Sequence, residues 1–416
     1  MFRLLRNRDF ALLISGQAIS QVGDGIFTVA IAWRVYQSYS TPAALSIVGI
    51  AFFLPRLLVT IVGGVLSDRF DRRWTMVVAD CGRAAAVGLL AAISLDPGRE
   101  LVAIVLLVAF QGVAGSLFGP AQTALIPEIV AAEELGRANS LRTMVGPLAW
   151  SVAGPALGGA LIANLGTAAA FWVDSGTYVV SVVTLFLIRR RPLIKERQPA
   201  SFFTDARQGF AYVARRPWLW GPMVTASVAQ LLYAGPNQAL VPYLVKYELH
   251  ASAGSLGLVL ATGGLGAVAA GLLVGRLPRP RHIVTAMVLG WSLGIGCIAI
   301  VGLARTVWEA AIGVFSWNLF LWSGEIFWLT LLGLTVPNHI RGRVSSIDFL
   351  GSYWMIPLSM ALTGPLAALV GPRTLLVGAG IGGALAVLLT LAIPGVYRPE
   401  YLSDDRAEND KIDQQS

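Results

Sequence analysis

Charge is what this 416-residue chain has least of. Asp, Glu, Lys and Arg make up 13% of it, about half of the roughly 25% usual for soluble domains. A soluble protein of this length needs a far more polar exterior, so soluble and disordered classes are excluded. Cysteine is nearly absent. Cys81 and Cys297 both sit in apolar runs, which excludes a disulfide scaffold and reads as two small buried hydrophobes. The three histidines, His250, His282 and His339, are scattered without metal-ligand spacing. No Gly-rich phosphate loop closing on Lys-Ser or Lys-Thr occurs, so no nucleotide-driven pump is encoded here. Gly378 to Gly383 formally matches a dinucleotide fingerprint, but it lies in an apolar run without a βαβ context and reads as helix packing. No cofactor and no metal is expected.

What is abundant is apolar: 56% of residues are hydrophobic, with 45 Gly, 21 Pro and 12 Trp. A bilayer crossing takes about 20 such residues. Twelve spans are predicted, at 10–37, 43–67, 74–96, 101–126, 140–165, 168–189, 217–245, 253–276, 283–303, 307–334, 344–370 and 373–395. The fold class is therefore all-α: a polytopic membrane protein of twelve transmembrane helices in two pseudo-symmetric six-helix bundles. Residues 1–189 form the first bundle, 190–216 a basic linker, 217–395 the second bundle and 396–416 a polar tail. Arg3, Arg6 and Arg8 resemble the start of a signal peptide, but the apolar run that follows is too long and lacks a cleavage site, so a retained helix is expected.

The net charge of +8 raises the possibility of nucleic acid, and its placement argues against it. Of 31 Lys and Arg, 23 fall in the alternate segments that include the N-terminus and the tail. The opposite loops hold only Arg99, Lys246, Arg305 and Arg373. The positive-inside rule then puts both termini in the cytoplasm of a cell (inner) membrane protein. Its partners are the lipid bilayer, protons and a small-molecule substrate, with no nucleic acid, and a monomer is expected to suffice.

Internal duplication supports two halves. Pro127, Pro147 and Pro155 recur as Pro337, Pro357 and Pro365 at a constant offset of 210, in spans 5 and 11 or just before them. Between spans 2 and 3 comes Gly64, then Asp68-Arg69, then Arg72-Arg73. This resembles the signature of the major facilitator superfamily, with Asp71 where that pattern has a Gly before the paired Arg. A weaker copy follows span 8, with Gly275 in the Asp position. In span 5, Gly154-Pro155-Ala156-Leu157-Gly158-Gly159 resembles the core of the superfamily's antiporter motif, without its upstream glycine spacing. The bland alternative is ordinary close helix packing. Phe118 to Pro127, Leu135 to Leu141, Asp174 and Ile340 to Val344 resemble the twelve-span drug:proton antiporter branch that includes macrolide and siderophore exporters. Many such exporters carry an Arg three residues before a Gln-Gly pair in span 4. Val108 stands there, before Gln111-Gly112, so that residue's coupling role is not implied.

Polar groups within spans are costly in lipid, so their faces are informative. Gln17, Gln21, Asp24 and Thr28 share one face of span 1; Gln230, Tyr233 and Asn237 one face of span 7; Asn318, Trp322 and Glu325 one face of span 10. Span 4 offers Gln111, Phe118 and Gln122. The resemblance implies that spans 1, 4, 7 and 10 line the central cavity; the alternative for any single amide is glue between helices. Asp24 and Glu325 are the leading proton carriers. Arg56, near the middle of span 2, costs about 2.5–3.5 kcal/mol on insertion scales and so needs a partner or a wet cavity. Three readings are open: a pair with Asp24 that protonation breaks, an anionic-substrate site, or a structural ion pair. Asp80 and Arg83 read as a local pair near the cytoplasmic face, and Asp174 and Asp348 as structural.

The expected function is secondary active transport, proton-coupled efflux of an amphipathic small molecule by alternating access. Trp317, Trp322, Phe327 and Trp328 suit a partly apolar ligand. The rivals are an uptake symporter or lipid flippase on the same fold and, in another class, a non-transporting membrane receptor or enzyme.

Overall fold

The computed structural model describes residues 2–67, 71–93, 97–131, 134–189, 202–278 and 280–397. Asp68 and Arg69 of the loop motif, residues 190–201 of the linker and the tail beyond 397 lie outside them. Among the described residues every regular element is helical.

Side chains at the right places start the helices. The Asn7 carboxamide accepts from the amides of Asp9 and Phe10 ahead of α1 (Arg8–Ser38). Asp71 does the same for Trp74 ahead of α3 (Arg72–Ala92), Ser252 for Ser255 ahead of α10 (Ala253–Arg276) and Thr306 for Glu309 ahead of α13 (Val307–Thr335). Asp71, the departure from the superfamily's glycine, is thus a helix cap.

The other helices are α2 (Pro42–Ser67), α4 (Pro97–Ile129), α5 (Leu135–Pro147), α6 (Gly154–Leu165), α7 (Thr167–Leu187), α8 (Phe202–Ala214), α9 (Pro217–Tyr243), α11 (Ile283–Gly296), α12 (Ile298–Leu303), α14 (Asn338–Tyr353), α15 (Ile356–Val370) and α16 (Pro372–Leu388). A π-helical turn, Leu148–Ala153, joins α5 to α6. It sits just before Pro155, which has no N–H to give and crowds the preceding carbonyls. The matching place between α14 and α15 is also broken, two residues before Pro357. Gly166 and Gly371 close these two spans in the same way, each with φ of 85°, a conformation L side chains resist.

Among the described residues, ten stretches are long and apolar enough to cross a bilayer. α1 and α9 have the length, 31 and 27 residues, but carry the polar faces of spans 1 and 7 and fall outside that ten. The chain is an all-α, multi-pass membrane protein. Its outer surface bears out the lipid environment: Leu106, Leu165 and Leu369 stand 64%, 68% and 80% exposed. Cys81 is exposed on that surface, where a buried site was expected.

α7 packs on α1 and α3, α4 on α2 and α3, and α6 on α1, making one helix group; α13 packs on α10 and α11, α16 on α9, α11 and α12, and α15 on α9, making the other. Two seams join these groups, α2 on α15 and α6 on α10. A Cβ at Gly159 would meet Gly257 Cα at 2.8 Å, and one at Gly364 would meet Ala43 Cα at 2.8 Å. The linker is more than a tether: α8 packs on α9 and α14, with Arg343 donating to Gln208 Oε1 at 2.6 Å.

Candidate functional site

α1, α3 and α7 bring one buried network together at mid-depth. Arg83 donates to Asp24 and, at 3.2 Å, to Asp80 Oδ1. Its guanidinium lies 4.2 Å from the centre of the Tyr178 ring. Tyr178 donates its hydroxyl to Asp24 Oδ1 at 2.6 Å and accepts from Gln111 of α4 at 3.3 Å. Asp174 lies one turn away on α7, fully buried, accepting from Thr177. Asp24 alone of the three carboxylates is partly open, its side chain 25% exposed against 0% for Asp80.

The expected i,i+3 pair of Asp80 and Arg83 is present, but it is buried rather than at the membrane face, and Arg83 also holds Asp24, which makes the pair the centre of a network. Arg56 lies over the Phe52 ring at 5.5 Å and within the field of both Asp24 and Arg83. Tyr178 was not singled out at all. The signal for Arg83 was present, a second arginine deep in a span, and was masked by the i,i+3 acid beside it.

The second site lies among α9, α11, α13, α14 and α16. Gln230, Tyr233, Trp322 and Glu325, drawn from the polar faces of spans 7 and 10, line one cavity of about 160 Å³. Asp348 also lines it, its Oδ2 accepting from Trp328 Nε1 at 3.0 Å, and Trp291 lines the same cavity as Glu325. The sequence reading of Asp348 as structural omits this position. Asp348 and Ser352, four residues apart, share the face turned to the cavity, which is the signal that was available.

The remaining candidates sit elsewhere. Gln17 donates to Gln122 Oε1 at 2.9 Å, both buried, so these two amides tie α1 to α4. Gln21 approaches α5 near Gly146. Phe118 is packed into an apolar cluster with Ile14 and Met76. Asn237 is buried, and Asn318 donates to its own helix at Val314 O, 3.0 Å away.

The motif residues are joints. A Cβ at Gly154 or Gly158 would strike α1, at Val22 O (2.7 Å) and Ile26 Cα (2.9 Å), while Gly159 faces α10. Pro155 presents its carbonyl to Gly257. Arg72 pairs with Glu128 and donates to Ala124 O at 2.8 Å; Arg73 donates to Phe186 O at 2.7 Å. Gly64 lies within α2.

A buried carboxylate–guanidinium network in one helix group, a cavity in the other and glycine seams between them is a transporter's layout. A family model described as transmembrane secretion effector matches residues 1–415. The chain belongs to this family of the major facilitator superfamily. It is 28% identical over 387 residues to an uncharacterized major facilitator transporter, YfiS, of Bacillus subtilis, covering 88% of this chain and 89% of that one. It is 26% identical over 402 residues to the multidrug efflux pump Tap of Mycobacterium tuberculosis (92% and 93% covered). It is 28% identical over 401 residues to the enterobactin exporter EntS of Salmonella typhimurium (94% and 93%). Among solved structures it resembles an inward-facing bacterial homologue of the iron transporter ferroportin, with a TM-score of 0.74 at 15% identity, covering 93% of this chain and 99% of that one. The nucleoside transporter NupG follows at 0.69 and 10%, covering 92% and 99%. At such identities the structural likeness concerns the fold. This member of the superfamily is a membrane transporter of small molecules, not an enzyme.

Proposed function

We propose that the protein is a proton-coupled exporter of an amphipathic small molecule, with both termini in the cytoplasm of the inner membrane. Residues 1–189 and 217–395 act as two bodies that rock about the seams α2–α15 and α6–α10, presenting the site to each side in turn.

The observation that carries coupling is Arg83 shared between Asp24 and Asp80. Asp24 is the open carboxylate, so it is the one a proton reaches. Protonating it removes one of the two negative charges that hold Arg83. The guanidinium then turns to Asp80, which frees α1 from α3. Arg56 lies in the same field and would feel the same change. The proton is donated to an Asp24 oxygen and later released from it, and no other bond is made or broken. The gradient supplies about 2.3 kcal/mol per charge per 100 mV.

Export, rather than uptake, is supported by the efflux relatives and by the Gly154–Gly159 joint between α1 and α10. The test uses inverted membrane vesicles from cells with and without the protein, acidified inside, and a panel of amphipathic dyes and drugs. Export with proton exchange is expected to accumulate at least one compound inside, and an uncoupler is expected to abolish it. Accumulation only when the interior is alkaline would instead establish uptake symport.

A further inference from the structure

The cavity between α9, α11, α13, α14 and α16 has an unusual wall. Two carboxylates, Glu325 and Asp348, share a space of about 160 Å³, and none of its lining residues is Lys, Arg or His. Five aromatic side chains share the wall with them: Trp291, Trp322, Trp328, Tyr233 and Tyr353. One indole N–H is spent on an acid, Trp328 on Asp348 at 3.0 Å. This fixes the Asp348 carboxylate and sets both acids beside the aromatic side chains. Ser352, one turn after Asp348 on α14, lines the same space. Trp291 and Trp328 are held tilted, centroids 5.9 Å apart and planes at 58°. Both are almost fully buried, whereas Trp322 and Tyr353 are 41% and 44% exposed, one wall of the space being open.

Negative charge beside aromatic faces, with no cation to answer it, is the chemistry that receives an organic cation. A metal ion fits less well: no group of three or more His, Cys, Asp or Glu suited to a metal exists among the described residues, and ring faces contribute nothing to a hard cation's shell. We propose that this cavity seats the quaternary or protonated-amine headgroup of the transported amphiphile, between Glu325, Asp348 and the aromatic wall. The size agrees. About 160 Å³ holds a headgroup and not a whole drug, so the apolar remainder extends out through the open wall beside Trp322 and Tyr353. This inference rests on the transport reading for its biological meaning, but it concerns equilibrium binding and is tested without a gradient.

The experiment is equilibrium binding of tritiated benzyltrimethylammonium to the purified full-length protein in nanodiscs. Its uncharged carbon isostere, neopentylbenzene, and manganese(II) serve as competitors. Saturable binding is expected, with the isostere at least tenfold weaker as a competitor and manganese(II) without effect. Glu325→Gln combined with Asp348→Asn is expected to weaken binding at least tenfold, and Trp322→Ala at least threefold. If the double variant does not fold, by its thermal unfolding midpoint, the single variants carry the same expectation at threefold or more. No saturable binding to the wild-type protein overturns the proposal. So does competition by the isostere equal to the cation's own, displacement by manganese(II), or full affinity in the neutralised variants. A failure here leaves the vesicle result standing, and a failure of acid-driven accumulation leaves this binding result standing.

Discussion

Arg83 is the side chain on which the α1–α3–α7 network hangs. It holds two carboxylates from two helices and lies on a tyrosine ring. Removing one partner of a buried pair is far costlier than an exposed pair's net worth suggests, about 3–5 kcal/mol, because an uncompensated charge stays behind. Arg83→Ala is therefore expected to lower the thermal unfolding midpoint strongly, and Asp24→Asn much less, since Asp24 is partly open and its amide still accepts from Arg83 and Tyr178. Equal losses in the two variants would mean that Arg83 is not the centre of the network. At this scale the sequence was half legible. Periodicity marks Asp24, Gln230, Tyr233, Trp322 and Glu325 because each shares a helical face with other polar groups. Tyr178 carries the same signal, spaced 4 and 3 from Asp174 and Ser181, but span 6 is not one of the four spans that the resemblance assigns to the cavity; Asp80 is credited with Arg83 because neighbours along a helix hide a partner on another helix. Gln17 and Gln122 have the same pattern as cavity residues but bond each other across α1 and α4; pattern alone cannot separate a lumen from a seam.

Helices meet in this protein where glycine lets backbones touch. Gly159 and Gly257 are each other's neighbours, with Cα atoms in the space where a Cβ would sit. Neither backbone can give without parting α6 from α10. Gly159→Ala is expected to cost roughly 1–3 kcal/mol of overpacking, read as a lower unfolding midpoint, and to impair transport. Gly176→Ala on α7 is the control. A Cβ there meets nothing within 4 Å, so the substitution is expected to be neutral or to stabilise by about 0.5–1 kcal/mol. The elements were mostly readable in advance, because long apolar runs and caps leave little choice. Proline repeats located the broken fifth and eleventh spans without revealing the π-helical form of the break. Helix α8 was missed because its residues sit within a basic stretch of mixed composition, and its order comes from packing on α9 and α14.

The two helix groups are clasped at the end of the bundle away from residues 8 and 388. Tyr36 of α1 donates its hydroxyl to Ala239 O of α9 at 2.7 Å, and its own carbonyl accepts from Lys246 and Tyr247. Its ring meets Tyr243 and Tyr247 edge-on, with centroids 5.6 and 6.0 Å away. The α2–α15 contact at Gly364 and Ala43 lies at the same end, and in the proposed rocking cycle this end is the closed gate. Tyr36→Ala is expected to loosen this end. Spin labels at residues 40 and 305, with Cys81 and Cys297 replaced by Ala, are expected to show a longer distance population than in the parent; an unchanged distribution would mean the clasp does not hold the gate.

The coupling of Asp24 to transport is reached most directly by proteoliposomes containing Asp24→Asn, loaded with a compound the vesicle panel has identified. Two readings are taken: exchange of labelled for unlabelled compound without a gradient, and accumulation driven by an imposed pH gradient. Exchange needs only a working site and rocking bodies, and is expected to persist near the wild-type rate. Accumulation needs the proton, and is expected to fall at least tenfold. Wild-type accumulation by Asp24→Asn would contradict the account.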